Sequence, residues 1–178
     1  MINPAKTQAA AARLQMVVTG GLVVLLVLAA AGLVQVARSP LAVGDFLAQQ
    51  AGYGEVPLSP LQAWGIIAIV AVHVMLWACL LMLARKLFRH MVLASPTEVA
   101  RCARKAGYVL WIMVFWGIAS HGLASVTSTW GYPEGQRVLS IGIGMPQVSL
   151  AFSALMAGFM AHAFTLGAAL WEDHREVI

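Results

Sequence analysis

Three histidines lie inside long apolar runs of this sequence: His73, His121 and His162. An ionisable side chain within a membrane-spanning segment is costly and therefore suggests a functional role. A neutral imidazole is also a common ligand of haem iron. One hypothesis is therefore a haem b or (bacterio)chlorophyll site that uses these histidines, as in a small electron-transfer or photosynthetic subunit.

Counting residues from the external ends of the predicted spans gives the expected depth of each histidine. His73 and His162 are expected at roughly 20 and 24 Å, and His121 at roughly 9 Å, for a rise of 1.5 Å per residue. Two imidazoles at similar depth on facing helices could ligate one iron. Gly117 and Gly158, each one turn before a histidine, would leave room for a flat macrocycle.

The alternative is structural, because an intramembrane histidine often bonds a hydroxyl or a carbonyl of a neighbouring helix. Several hydroxyls are available for this: Ser120, Ser125, Ser149, Ser153 and Thr165. We favour this interpretation and expect no cofactor and no metal site. Cys79 and Cys102 lack the spacing of a metal site and are expected to be reduced, unpaired thiols.

A second set of candidate residues is basic. Six of the 11 Lys and Arg residues fall between two apolar runs: Arg85, Lys86, Arg89, Arg101, Arg104 and Lys105. Orientation of the chain in a membrane would explain them without any ligand. They could also bind anionic lipid head groups, at about 1 kcal/mol per cation, or dock a protein partner.

The composition indicates an integral membrane protein. The 178 residues are 61% hydrophobic and only 10% charged, whereas a soluble domain carries about 25% charged residues. All seven acidic residues lie outside the apolar runs, and no catalytic triad, HExxH motif or P-loop is present. The sequence therefore predicts neither an enzyme nor an ion-coupled transporter, and it shows no nucleic-acid-binding motif.

The apolar runs predict a single domain, residues 1–178, with four spans of about 20 residues or more. These are expected at about 16–37, 60–84, 107–127 and 146–171. The first run is longer than the core of a signal peptide and is expected to be a retained span. A basic cytoplasmic hairpin, 85–106, connects the second and third spans.

Local signals predict where the helices begin. Ser59 with Gln62, and Ser95 with Glu98, have the spacing of capping boxes, each with proline directly after the serine. Such boxes predict helices that start at residues 60 and 96.

A short interfacial helix is expected in the first external loop. Leu41, Phe46 and Leu47 would lie on one of its faces. Gly52 and Gly54 would end it, because glycine readily adopts the conformation that follows a helix.

Lys and Arg counts predict the orientation of the chain. Nine of these residues would lie on the side of the termini and the hairpin, and two, Arg38 and Arg137, on the other side. The predicted fold is therefore an all-α, integral membrane, antiparallel four-helix bundle with both termini in the cytoplasm. Small residues would permit close helix approach: Gly20, Gly21, Ala29, Ala30, Ala31, Gly32, Gly117, Gly122, Gly158 and Gly167.

Two stretches carry a family resemblance: LARKLFRHMVLASPTEVARCARKAGYVLW at 83–111 and LGAALWEDHREVI at 166–178. With its four spans, the chain resembles the bacterial four-helix inner-membrane proteins of domain-of-unknown-function family 2975. That family has no established reaction. The resemblance implies a non-catalytic accessory or regulatory protein of the bacterial inner membrane that associates with a larger membrane complex or with copies of itself.

Overall fold

The computed structural model describes residues 4–53, 57–93, 95–133 and 135–176, and the side-chain surroundings of those between 8 and 169. Over these residues the chain is all-helical and has no strand, as the sequence predicts. Five helices follow one another: α1 (Pro4–Arg38), α2 (Pro40–Gln50), α3 (Pro60–Val92), α4 (Pro96–Thr129) and α5 (Met145–Glu176).

Four of these helices are long and apolar enough to cross a membrane. They are Gln8–Arg38 of α1, the whole of α3 and α4, and Met145–Ala169 of α5. A hydrocarbon core of about 30 Å needs roughly 20 helical residues. α3 and α4 contain 33 and 34 residues, so each is long enough to project beyond such a core.

The two predicted capping boxes have different outcomes. At the start of α3, the Ser59 N–H donates to Gln62 Oε1 at 2.8 Å and the Gln62 N–H donates to Ser59 Oγ at 3.4 Å, which confirms the first box. At the start of α4, Ser95 is the cap residue, but its side chain makes no cap bond. Glu98 instead lies 2.8 Å from Arg101 Nη1, so the second box is wrong although the helix starts where predicted.

The predicted short helix of the first loop is α2, but its faces differ from the prediction. Gly44 and Ala48 are buried, and Leu47 packs beside them against the start of α3. Leu41 and Phe46 are exposed. The expectation that Leu41, Phe46 and Leu47 share one face is therefore wrong, because residues 44, 47 and 48 form the stripe that contacts α3.

A glycine and one side-chain hydrogen bond direct the chain after the end of α2. Gly52 follows the helix with a φ of +84°, a conformation that glycine adopts at little cost. Gly54, the other predicted terminator, lies outside the described residues. The Leu58 N–H then donates to Asp45 Oδ1 at 3.0 Å, which fixes the return of the chain toward α3.

The long helices pack in the order α1, α3, α4, α5. α4 lies between α3 and α5. In the most apolar 18-residue stretch of α4, 39% of the residues are buried, against 6% in the corresponding stretches of α1 and α3 and 11% in that of α5. Among the described residues, α1 and α5 make at most marginal contact with each other. α4 is therefore the centre of the packing, and the other three helices expose most of their apolar side chains.

Specific contacts fix how far along α4 each neighbour lies. Gln62, at the start of α3, donates to the carbonyl of Thr127, near the end of α4, at 2.9 Å. On the other side, Gln147 of α5 packs against Gly117. Gly117 precedes the end of α4, Thr129, by 12 positions, roughly 18 Å along a helix. α5 therefore begins beside the middle of α4 and not beside its end.

An extended segment, residues 138–144, connects the end of α4 to this deeper start of α5. It runs back along the last turns of α4, where Gly122 faces Leu139 and Ile141. Side chains accept hydrogen bonds from three backbone amides of this segment: Val138 N–H to Thr129 Oγ1 at 3.2 Å, Ser140 N–H to Ser125 Oγ at 2.9 Å, and Gly144 N–H to Gln147 Oε1 at 2.9 Å.

Candidate functional site

His73, on α3, takes part in an interhelical hydrogen bond. Trp116 of α4 donates its Nε1–H to His73 Nδ1 at 3.1 Å. A neutral imidazole that accepts at Nδ1 carries its proton on Nε2, so neither nitrogen offers a free lone pair to a metal. This geometry matches the structural alternative for His73, with a tryptophan in place of the expected hydroxyl or carbonyl.

His162 lies at a different level from His73. It shares a groove between α4 and α5 with Arg104, whereas His73 contacts Trp116. Arg104 and Trp116 are 12 positions apart on α4, roughly 18 Å along the helix. The expected similar depth of His73 and His162 is therefore wrong. It assumed that α5 starts level with the other helix ends, and the extended segment moves that start inward.

His121 lies on α4 between the levels of Trp116 and Thr127, and its side chain is exposed, as is that of His162. Among the described residues, no three His, Cys, Asp or Glu side chains come together in a way that could hold a metal ion. A haem shared by His73 and His162 does not fit this arrangement. Ligation of haem b or (bacterio)chlorophyll by His121 or His162 alone stays a prediction.

The six cations of the hairpin separate into different environments. Arg85, Lys86 and Arg89 line one groove of about 440 Å³ together with Met82, and Gln15 of α1 forms its opposite wall. We call this the α1–α3 groove. It brings three positive charges together beside an apolar side chain, at one end of two candidate spans.

The remaining three cations do not form a comparable group. Arg104 lines the second groove, of about 310 Å³, which we call the α4–α5 groove. Arg101 is paired with Glu98. Lys105 is exposed and lines neither groove.

The α4–α5 groove has a floor of small residues and aromatic walls. Gly107 and Gly158 approach each other on its floor. Tyr108 and Trp111 lie on the α4 side, and His162 lies on the α5 side. One cation and a largely apolar lining make it a weaker site for an anion than the α1–α3 groove.

Sequence reasoning missed two members of the α1–α3 groove, Gln15 and Met82. A signal for Met82 was present, because residues 82, 85, 86 and 89 are spaced as one stripe of a helix. Gln15 could not be assigned from its own helix alone. It is the second residue of the uncharged run that follows Arg13, and only packing shows which part of α3 it contacts.

None of the protein-family models searched matches the chain, and neither the curated proteins nor the solved structures gave a match. The resemblance to domain-of-unknown-function family 2975 therefore stays a prediction. Any proposal for function must come from the geometry of the described residues.

Proposed function

We propose that the chain is a non-catalytic protein of the bacterial inner membrane that works by lateral helix–helix association, as an accessory or regulatory subunit of a larger membrane complex. The observation that carries this proposal is the exposure of three of the four candidate spans. Only α4 buries a substantial part of its most apolar window. Lipid or other protein helices must therefore cover most of the apolar surface.

The small residues distinguish internal contacts from faces that are available to partners. An added Cβ at Gly65 or Gly117 would meet a neighbouring helix within 3.5 Å. An added Cβ at Gly20, Gly21 or Gly32 of α1 would meet nothing within 4 Å. Small residues at helix surfaces allow close approach of another helix in a membrane. We therefore place the association surface on the face of α1 that points away from α3.

The membrane placement belongs to the same proposal. We propose an antiparallel arrangement of the four spans. It is supported by the contact of the start of α3 with the end of α4 and by the contact of the start of α5 with Gly117 of α4. Both termini and the cations of the α3–α4 turn would face the cytoplasm, as the positive-inside rule predicts. α2 would lie at the external interface, where Leu41 and Phe46 are exposed for contact with lipid.

The size of the particle in mild detergent tests this function. We expect the protein mass of the particle, after subtraction of bound detergent, to be well above that of the 18.9 kDa chain, as part of a complex or an oligomer. Gly20→Leu should shift it toward the monomer, because the added side chain prevents close helix approach. Gly142→Leu is the matched control, since this glycine also has open space around it but lies in the loop.

Two results would contradict the proposal. One is a wild-type protein that is monomeric in mild detergent and in lipid discs. The other is an assembly that Gly20→Leu leaves intact while the variant still packs and purifies normally.

A further inference from the structure

We propose that the α1–α3 groove binds the head group of an anionic phospholipid. Its lining is bipartite, with three cations from α3, a polar amide from α1 and one apolar side chain. Basic pockets between helices on the cytoplasmic side of a membrane are suited to anionic head groups. This inference depends on the membrane placement above but not on lateral association.

The stripe on α3 has the order that a phospholipid requires. Met82 lies at the end toward the uncharged run, and Arg85, Lys86 and Arg89 follow over the next two turns. From residue 82 to residue 89 is roughly 10 Å along a helix. A lipid could therefore place its acyl chains beside Met82 and its phosphate among the cations.

The start of the uncharged run of α1 and the end of the uncharged run of α3 lie at the same level. The run of α1 begins directly after Arg13, and Gln15 is its second residue, whereas Arg85 is the first charge after the run of α3. Packing brings these two boundary residues into one groove. The groove therefore lies where both helices would leave the hydrocarbon, at the level of lipid head groups.

The positive-inside rule alone does not require that three cations line one groove. A topology signal needs cations on one side of the membrane, and it works equally well when each cation is separately solvated. Arg101 illustrates such a separate environment, because it pairs with Glu98 within its own helix. Three cations that face one groove, with no carboxylate paired to them among the residues between 8 and 169 whose side chains are described, instead favour an anionic ligand.

Native mass spectrometry of the full-length protein in detergent tests the site. We expect phosphatidylglycerol to bind more tightly than phosphatidylcholine. The variant Arg85→Gln/Lys86→Gln/Arg89→Gln should lose affinity for phosphatidylglycerol by about 100-fold, since each cation contributes roughly fivefold. The control Arg101→Gln/Arg104→Gln/Lys105→Gln removes the same charge and should lose far less. Equal losses in both variants would show a net-charge effect and would overturn the site.

A second variant tests the groove without removing any cation. Gln15→Glu places a carboxylate on the wall opposite Arg85, where it should compete with the lipid phosphate and lower the affinity about tenfold. Gln35→Glu makes the same change at the other end of α1 and should leave the affinity unchanged. If Gln15→Glu binds phosphatidylglycerol like the wild type while remaining folded by circular dichroism, the proposal is wrong.

A competition experiment separates a lipid from a soluble phosphate compound. Inorganic phosphate in large excess should fail to displace phosphatidylglycerol, because it lacks the acyl chains that contact Met82 and the neighbouring apolar surface. Displacement by inorganic phosphate, or equal binding of phosphatidylcholine, would overturn the assignment to an anionic lipid.

Discussion

Trp116 and His73 show how an ionisable side chain can be accommodated within a span. The indole is a donor only, and Nδ1 of the imidazole accepts, so this bond satisfies the indole N–H and one of the two imidazole nitrogens. This bond also connects α3 to α4 near the middle of both helices. Sequence alone placed His73 on its helix, but its partner depends on the register between two helices, which packing sets and composition does not encode.

Removal of this bond should weaken the α3–α4 contact. Trp116→Phe keeps the aromatic ring but leaves Nδ1 of His73 without its donor, and we expect a loss of about 1 kcal/mol in the free energy of unfolding. Reversible unfolding in detergent, followed by circular dichroism, measures this quantity.

The matched control is Trp64→Phe, because Trp64 is 52% exposed. It should change stability by much less. Equal stability of the Trp116→Phe variant and the wild type would contradict a structural role for the bond.

At the scale of elements, the extended segment 138–144 is the feature that composition did not predict. Within hydrocarbon, irregular backbone is tolerated where other protein groups satisfy its polar atoms. Here two hydroxyls of α4 and the side-chain carbonyl oxygen of Gln147 accept hydrogen bonds from three backbone N–H groups of the segment. The serines and threonines near the end of α4 therefore serve the connection to α5, a role that cannot be distinguished from helix–helix bonding in the sequence.

Ser125→Ala should release part of this segment. Ser125 is fully buried, and its hydroxyl both donates to Gly122 O at 2.9 Å and accepts from the Ser140 N–H. We expect hydrogen exchange of the Ser140 amide to accelerate by about tenfold, which corresponds to the loss of a bond worth roughly 1.4 kcal/mol.

Ser153→Ala provides the comparison, since Ser153 is exposed and bonds the Ser149 carbonyl within its own helix. It should leave exchange at Ser140 unchanged. Unaltered exchange at Ser140 in the Ser125→Ala protein would show that the hydroxyl does not hold the segment.

The contact of α2 with α3 depends on Gly44. A Cβ added there would lie 2.5 Å from Ala63 Cβ and 2.7 Å from Ala63 Cα, so the two helices would have to separate. Gly44→Ala should therefore increase cleavage of the first loop in limited proteolysis, although alanine favours helix formation by about 1 kcal/mol. Gly20→Ala, with open space around it, should show no such increase. Similar cleavage of both variants would contradict close packing of α2.

The starts of the helices were largely predictable, and their relative positions were not. Proline after serine marked the beginnings of α3 and α4 because these are local preferences. The offset of α5 against α4 arises from contacts between residues distant in sequence, such as Gly117 with Gln147. That offset is the reason that depth estimates for His162 failed.

At the scale of the whole molecule, the helices follow one another around α4 and leave wide apolar faces exposed. Composition predicted the membrane character and the number of long helices. It could not predict which helix is central, because α4 and α5 are both less apolar than α1 and α3, and only α4 is central. It also treated the six hairpin cations as one group, whereas packing separates the α1–α3 groove from the α4–α5 groove.

Lateral association and lipid binding both require that the four helices cross a membrane with the α3–α4 turn in the cytoplasm. Labelling of single cysteines in intact cells tests this requirement most directly, in a Cys79→Ala/Cys102→Ala background. A membrane-impermeant maleimide should label Arg137→Cys in intact cells and Lys105→Cys only after permeabilisation. Labelling of Lys105→Cys in intact cells, or equal access to both positions, would contradict the proposed arrangement.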